Sequence, residues 1–193
     1  MTSRFFAFLS RMKYIDRWGL MRCTEKENVA EHSLFASWVA HALAVIENKY
    51  YGGSFDAYKI GMIAAYHETG EVITGDMPTP IKYFSPEISS AYKTVEKVAE
   101  DRILSTLPGE LYDDFAVLIR PTAEEKRLVK CADKLTAYIK CVEELAFGNG
   151  EFKKASESIY RELKSYGAKS VDYFLETFVE AYKLSLDELS VTD

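Results

Sequence analysis

The chain has 193 residues, 48% of them apolar and 28% charged, and a formal net charge of −6. That length suits one domain with a sizeable core, and the composition excludes disordered, collagen-like and low-complexity chains. The acidic balance disfavours polymeric nucleic acid as a partner, because that affinity comes from neutralising phosphates.

The first segment runs against the overall charge. Residues 1–26 carry Arg4, Arg11, Lys13, Arg17, Arg22 and Lys26 against only Asp16 and Glu25. A small anionic ligand beside this segment fits the split, as does a solvated basic face on a first helix, and charge alone favours the solvated face. Phe5 to Leu9, between two arginines, is too short for a signal peptide. The longest nearly apolar run, Trp38 to Ile46, is interrupted by His41 and falls short of the roughly 20 residues of a membrane span. Cys23, Cys131 and Cys141 show no CxxC spacing and read as reduced cytoplasmic thiols.

Helical periodicity predicts helices over 2–12, 27–49, 56–73, 85–106, 109–119, 123–147, 151–166, 170–183 and 185–190. In the second, Leu34/Phe35, Trp38/Val39, Ala42/Leu43 and Ile46 fall on one face. Ile60, Ile63/Ala64 and His67 do so in the third. Leu128, Ala132, Leu135, Ile139 and Val142 form a stripe in the sixth, and Val171, Phe174/Leu175, Phe178 and Tyr182 form one in the eighth. Ser85-Pro86 places a capping hydroxyl before a first-turn proline. Thr122-x-x-Glu125 and Ser185-x-x-Glu188 read as capping boxes. Gly148-Asn149-Gly150 ends a long helix, and Gly75-Asp76-Met77-Pro78-Thr79-Pro80 reads as a loop no helix crosses. The fold class is all-α, a compact multi-helix bundle in a single domain over 1–193.

The chain has three histidines: His32, His41 and His67. His32 and His41 lie about 2.5 helical turns apart and point in opposite directions, so they cannot share a site. His41 is read as structural. His67 is followed by Glu68 and, one turn on, by Glu71, which gathers an imidazole and two carboxylates on neighbouring faces near a helix C-terminus. Such donors suit divalent cations, and acids at a helix C-terminus carry a mild electrostatic penalty. Asp133 interrupts a strongly periodic helix between Val129 and Ala137. A buried carboxylate there needs a metal or an arginine, whereas a boundary position would let it reach water or Lys130.

Together these residues resemble a known pattern. Glu27-x-Val29-Ala30-Glu31-His32-Ser33, His67 with its adjacent acid, and Asp133 are similar to the metal-binding H…HD…D set of the HD-domain phosphohydrolases. Several further segments resemble the bacterial 5′-deoxynucleotidase branch of that superfamily. They are Phe5-Phe6-Ala7-x-Leu9-Ser10-Arg11, Arg17-Trp18-x-Leu20-Met21-Arg22, the stretch from Glu71 to Phe84, Lys140-Cys141-x-Glu143-Glu144-Leu145, Tyr173-Phe174 and the tail Leu184 to Glu188. The resemblance runs in order along nearly the whole chain. One residue departs from it: Glu68 stands where the family's dyad has aspartate, and its extra methylene moves the carboxylate by about one C–C bond, a scale that matters to site geometry.

The resemblance implies an HD-domain bundle that removes the 5′-phosphate from deoxyribonucleoside monophosphates. It implies one divalent metal, cobalt, manganese or similar, held by His32, His67, Glu68 and Asp133. Glu71 is then the catalytic acid–base residue for the attacking water. Arg17 and Trp18 would orient the phosphate and wall the sugar. Asp76, Met77, Pro78 and Thr79 would line the nucleotide pocket, with His32, Glu68 and Asp133 also touching substrate. Lys82 is a further phosphate candidate. The family's members are homodimers. No membrane and no polymeric nucleic acid is implied.

Three other readings compete. A regulatory or non-catalytic nucleotide-binding HD protein would treat Glu68 as the mark of a lapsed site, but Glu71, Arg17 and Asp133 argue against decay. His67-Glu68-x-x-Glu71 lacks the second histidine of a zinc peptidase motif. A plain helical scaffold explains the periodicity but not the coincidence of these polar residues.

Overall fold

A computed structural model describes residues 2–82 and 84–190, apart from the Thr79 side chain, which lies outside the described residues along with Tyr83. The helices are α1 Phe5–Leu9, α2 Val29–Tyr50, α3 Ala57–Tyr66, α4 Glu71–Thr74, α5 Thr79–Lys82, α6 Pro86–Leu104, α7 Tyr112–Ile119, α8 Ala123–Ala146, α9 Lys153–Ser165, α10 Lys169–Phe178 and α11 Leu186–Leu189. Short 3-10 turns follow α1 and α10 and precede α7 and α9. No strand occurs among the described residues; the one extended pairing is an antiparallel bridge between Asp16 and Asn28. The fold is all-α, as the periodicity predicts.

The caps are local chemistry. Asn28 Oδ1 accepts from the Ala30 and Glu31 amides, and Glu31 returns a bond to the Asn28 amide, which fixes the start of α2. Thr122 with Glu125 and Ser185 with Glu188 form the predicted capping boxes of α8 and α11. Ser85 accepts from the Ile88 amide ahead of Pro86 in α6. Gly148, at φ +82°, takes the left-handed turn after α8.

The main core lies where α2, α3, α8 and α10 meet. Leu43, Ile60, Ile63, Leu135 and Ile139 are essentially inaccessible there, with Val171 and Phe174 from α10. Each such side chain contributes about 1.5–3 kcal/mol of burial. A second cluster joins Phe5, Ile103, Leu104 and Ile119, with the Phe5 and Phe115 rings edge-on at 5.1 Å. By length and composition α2 could cross a membrane, with 22 residues and a window of mean hydropathy 1.3, although its longest nearly apolar run is only Trp38 to Ile46. Half of its apolar window is buried in the core.

Several expected segments differ. The helix expected over 56–73 ends at Tyr66, turns through 67–70 and restarts at Glu71. Side chains cause the break: His67 Nδ1 and Thr69 Oγ1 take the carbonyls of Ala64 and Tyr66, each at 2.6 Å. Glu71 therefore opens a helix instead of closing one, and the predicted C-terminal penalty does not apply to it. The expected helices at 2–12, 109–119, 151–166 and 170–183 each contain a 3-10 portion. Helix α5 begins inside the predicted loop, because Pro80 sits in its first turn, where a missing N–H costs nothing.

Candidate metal centre

Four side chains from three elements converge. His32 projects from the first turn of α2, His67 and Glu68 from the break after α3, and Asp133 from the middle of α8. One ligand atom from each lies within 4.8 Å of all the others. His32 Nε2 is 3.0 Å from Asp133 Oδ1. His67 Nε2 is 3.3 Å from Glu68 Oε1 and 3.9 Å from Asp133 Oδ1. The Lys130 alternative for Asp133 is not taken: Lys130 lies over the Tyr166 ring instead.

The imidazoles are oriented from behind. A carbonyl only accepts, so His67 Nδ1 carries the proton donated to Ala64, and Nε2 faces the cluster. His67 Nε2 is buried without a hydrogen bond, an orphan polar atom aimed at two carboxylates. On His32, Thr136 Oγ1 lies 3.5 Å from Nδ1, which also turns Nε2 inward.

The charges call for a cation. Burial opposes charge on His67, but Glu68 and Asp133 outweigh it and lift the imidazole to about 10. Against the same burial, His67 pulls Glu68 down to about 2, and the two imidazoles hold Asp133 well below the usual carboxylate range. Two imidazoles and two carboxylates form a borderline donor set for a divalent transition metal. Adjacent ligands bound at about 2.1 Å on an octahedron sit about 3 Å apart, the scale of the His32–Asp133 spacing. The residues fit a metal.

Glu71 stands beside the cluster, 4% exposed, with Oε2 buried and unpartnered. Burial, Glu68 and Asp76 push its carboxyl up to about 9, against the opposing pull of Arg17 and Lys82. Burial also raises Asp76. A cavity of about 220 Å³ opens here, lined by His67, Glu68, Glu71, Asp133 and Lys82 among others. Lys82 is already engaged, with Nζ 2.9 Å from Glu96 and 4.7 Å from the Tyr92 ring centre.

Arg17 reaches the cluster from another side, and Trp18 follows it in the chain. Arg17 Nη1 is 3.7 Å from Glu68 Oε1. Its burial contrasts with Arg4, Arg11 and Lys13, which form the exposed basic face. Trp18 packs on Phe152 at 5.3 Å and sits at φ +59°, a left-handed conformation that costs a bulky residue about 1–2 kcal/mol. Of the predicted substrate residues, Arg17, Trp18, His32, Asp76, Met77 and Pro78 do not line the cavity, although Met77 and Pro78 are half-buried on the loop after α4. His41 lies apart, its ring tilted against Tyr58 with centroids 5.6 Å apart, in a second hollow.

A family model described as 5′-deoxynucleotidase YfbR-like matches residues 4–182. The chain belongs to this family. The 5′-deoxynucleotidase YfbR of Escherichia coli O1:K1 is 51% identical over 191 residues, covering 97% of this chain and 96% of the relative. Among solved structures, an HD-domain phosphohydrolase from Listeria innocua superposes with a TM-score of 0.80 at 22% identity, over 93% of this chain and 88% of its own. The cyanophage S-2L HD phosphohydrolase DatZ, bound to dA and one catalytic Zn²⁺, superposes at 0.65 and 18% identity, over 90% and 95%. These likenesses show the HD-domain fold.

Sequence reasoning missed the supports. Glu27 accepts from Arg17 Nε at 3.2 Å and from Trp18 Nε1 at 3.0 Å. Glu144 takes the Thr24 amide at 2.8 Å and Asn149 Nδ2 at 2.7 Å, while Lys140 donates to the Glu25 carbonyl at 2.6 Å. An available signal was the Lys140–Glu144 pair, four residues apart beside the apolar stripe of α8.

Proposed function

We infer that this chain is a metal-dependent phosphoric monoester hydrolase that converts deoxyribonucleoside 5′-monophosphates to deoxynucleosides and phosphate. The observation that carries this reading is the convergence of His32, His67, Glu68 and Asp133, with His67 Nε2 unpartnered, in a chain of the 5′-deoxynucleotidase YfbR-like family. Those four residues would hold one divalent cation, cobalt, manganese or similar; the cyanophage relative holds zinc. When bound, the cation supplies Lewis-acid polarisation of the phosphoryl group and activation of water.

The chain's own residues do the rest. Arg17 offers its guanidinium edge beside Glu68 to the phosphate oxygens, neutralising charge as the P–O bond breaks. Glu71 takes the proton of the attacking water, its carboxyl lowered into the working range by positive charge placed next to it. Asp76, its carboxyl raised by burial, accepts from a sugar hydroxyl or, when protonated, donates to the departing 5′-oxygen. Trp18 walls the sugar against a 2′-hydroxyl, and Met77, Pro78 and Thr79 complete the nucleotide pocket with the substrate-facing sides of His32, Glu68 and Asp133. The protein works as a single HD-type domain over 1–193, as a cytoplasmic homodimer, without membrane or polymeric nucleic acid.

The test is a panel of deoxy- and ribonucleoside monophosphates with a series of divalent metals. Phosphate release that needs metal and favours the deoxy substrates is expected. Equal release from both sugars removes the proposed role of Trp18, and release without metal after exhaustive chelation removes the mechanism.

A further inference from the structure

We propose that Glu27 is a positioning residue of this site. Its carboxylate fixes the Arg17 guanidinium and the Trp18 indole so that Arg17 faces the substrate phosphate instead of closing on a metal ligand. The proposal rests on the nucleotidase reading above.

One oxygen of Glu27 does both tasks. Oε2 accepts from Arg17 Nε at 3.2 Å and from Trp18 Nε1 at 3.0 Å, while Oε1 lies 3.9 Å from His32 Nδ1, behind the cluster. With Nε engaged, the other edge of the guanidinium is left toward Glu68, where Nη1 stands 3.7 Å from Oε1. That separation is an ion pair held short of a hydrogen bond. The side chains of Arg17 and Glu27 are 12% and 17% exposed, so water competes little for their bond.

The backbone enforces the pairing. Arg17 N donates to the Glu27 carbonyl and Val29 N to the Ile15 carbonyl, both at 2.9 Å, around the Asp16–Asn28 bridge. The strap between them is tied to α8 through Thr24, Glu25 and their bonds to Glu144 and Lys140. The helix that carries Asp133 therefore also sets the position of Glu27. Trp18, in its left-handed backbone conformation, is held by Glu27 on one side and Phe152 on the other.

Loss of the Glu27 carboxylate leaves Glu68 as the nearest acceptor for Arg17. The guanidinium then closes on Glu68, which withdraws it from phosphate and burdens a metal ligand. Glu27 thus acts through Arg17, and this separates positioning from plain structural support.

The experiment compares Glu27→Ala and the near-isosteric Glu27→Gln, each alone and in an Arg17→Ala background, using phosphate release from a deoxynucleoside 5′-monophosphate. Trp18 emission is read in a Trp38→Phe background, since the chain has two tryptophans. Each Glu27 change is expected to lower kcat/KM by about 10–100-fold alone, on the scale of a misplaced positioning group, and by less than about 3-fold once Arg17 is gone. Glu27→Ala is expected to shift the Trp18 emission. Fully additive losses in the double variants, or an unmoved Trp18 emission, overturn the proposal. Glu27→Gln keeps the test decisive where the alanine variant fails to fold. A wild-type protein inert with every metal overturns the nucleotidase reading and this proposal with it, whereas an active wild type with additive losses overturns the proposal alone.

Discussion

His67 donates from Nδ1 to the Ala64 carbonyl over 2.6 Å, and that bond decides which ring nitrogen faces Asp133. Because the same bond helps end α3, the break in the helix and the orientation of a candidate metal ligand have one cause. His67→Ala and Asp133→Ala are expected to weaken divalent-metal binding by at least about 100-fold, since even outer residues of such sites are worth 10–100-fold. Isothermal titration of the folded variants reads this directly. Unchanged affinity in both would place the metal elsewhere.

Glu71 is the acid beside the cluster with a buried oxygen and no partner. Replacing it with Gln keeps its volume and removes its ability to take a proton. A fall in kcat of about 10²–10⁴ is expected, with metal stoichiometry unchanged. Steady-state phosphate release together with metal analysis checks it, and a loss confined to KM would reassign Glu71 to binding.

Glu144 gives the fold a pH dependence. It is 1% exposed, and despite that burial its bonds to Lys140, the Thr24 amide and Asn149 hold the carboxyl at about 2, below its ordinary 4.5. A depressed folded-state pKa means stability that is present above 4.5 and lost as pH falls toward 2. The amount is on the order of 3 kcal/mol. Urea unfolding of wild type and Glu144→Gln between neutral and acid pH should show the variant weaker by about that amount at pH 7 and the gap closing in acid. A gap independent of pH would show that Glu144 acts by packing.

Metal should also stabilise the fold, because the ligands come from α2, the α3 break and α8, which the unfolded chain does not hold together. At 100 times the dissociation constant the gain is about 2.7 kcal/mol, or a rise in Tm of about 5–10 °C for a chain of this size. Thermal unfolding with and without chelator measures it. No shift at saturating metal would mean that the four residues do not bind as a set.

The helices and the residues that converge at the candidate metal centre were legible in the sequence for different reasons. Apolar stripes and capping pairs such as Thr122 with Glu125 are local signals, and the structure places those helices accordingly. His32, His67, Glu68 and Asp133 were legible as an ordered pattern, although their spacing alone left Asp133 open to a surface reading. The break after Tyr66 was hidden because Ile60, Ile63 and His67 keep helical phase up to the point where two side chains capture the carbonyls. Glu27 was hidden because its partners lie 9–10 residues away across a loop, and of the Glu144 contacts only the local pair with Lys140 was legible, the Thr24 amide lying 120 residues away.

Removal of a 5′-phosphate is expected to depend on a cation held by His32, His67, Glu68 and Asp133. The most direct measurement is product formation from a deoxynucleoside 5′-monophosphate by chelated protein, before and after adding back one equivalent of a divalent metal. No reaction is expected in the chelated protein and, on reloading, equimolar deoxynucleoside and phosphate. Equal product from the chelated and reloaded protein, or a reloaded protein that cleaves the glycosidic bond instead of the phosphate ester, would contradict this expectation.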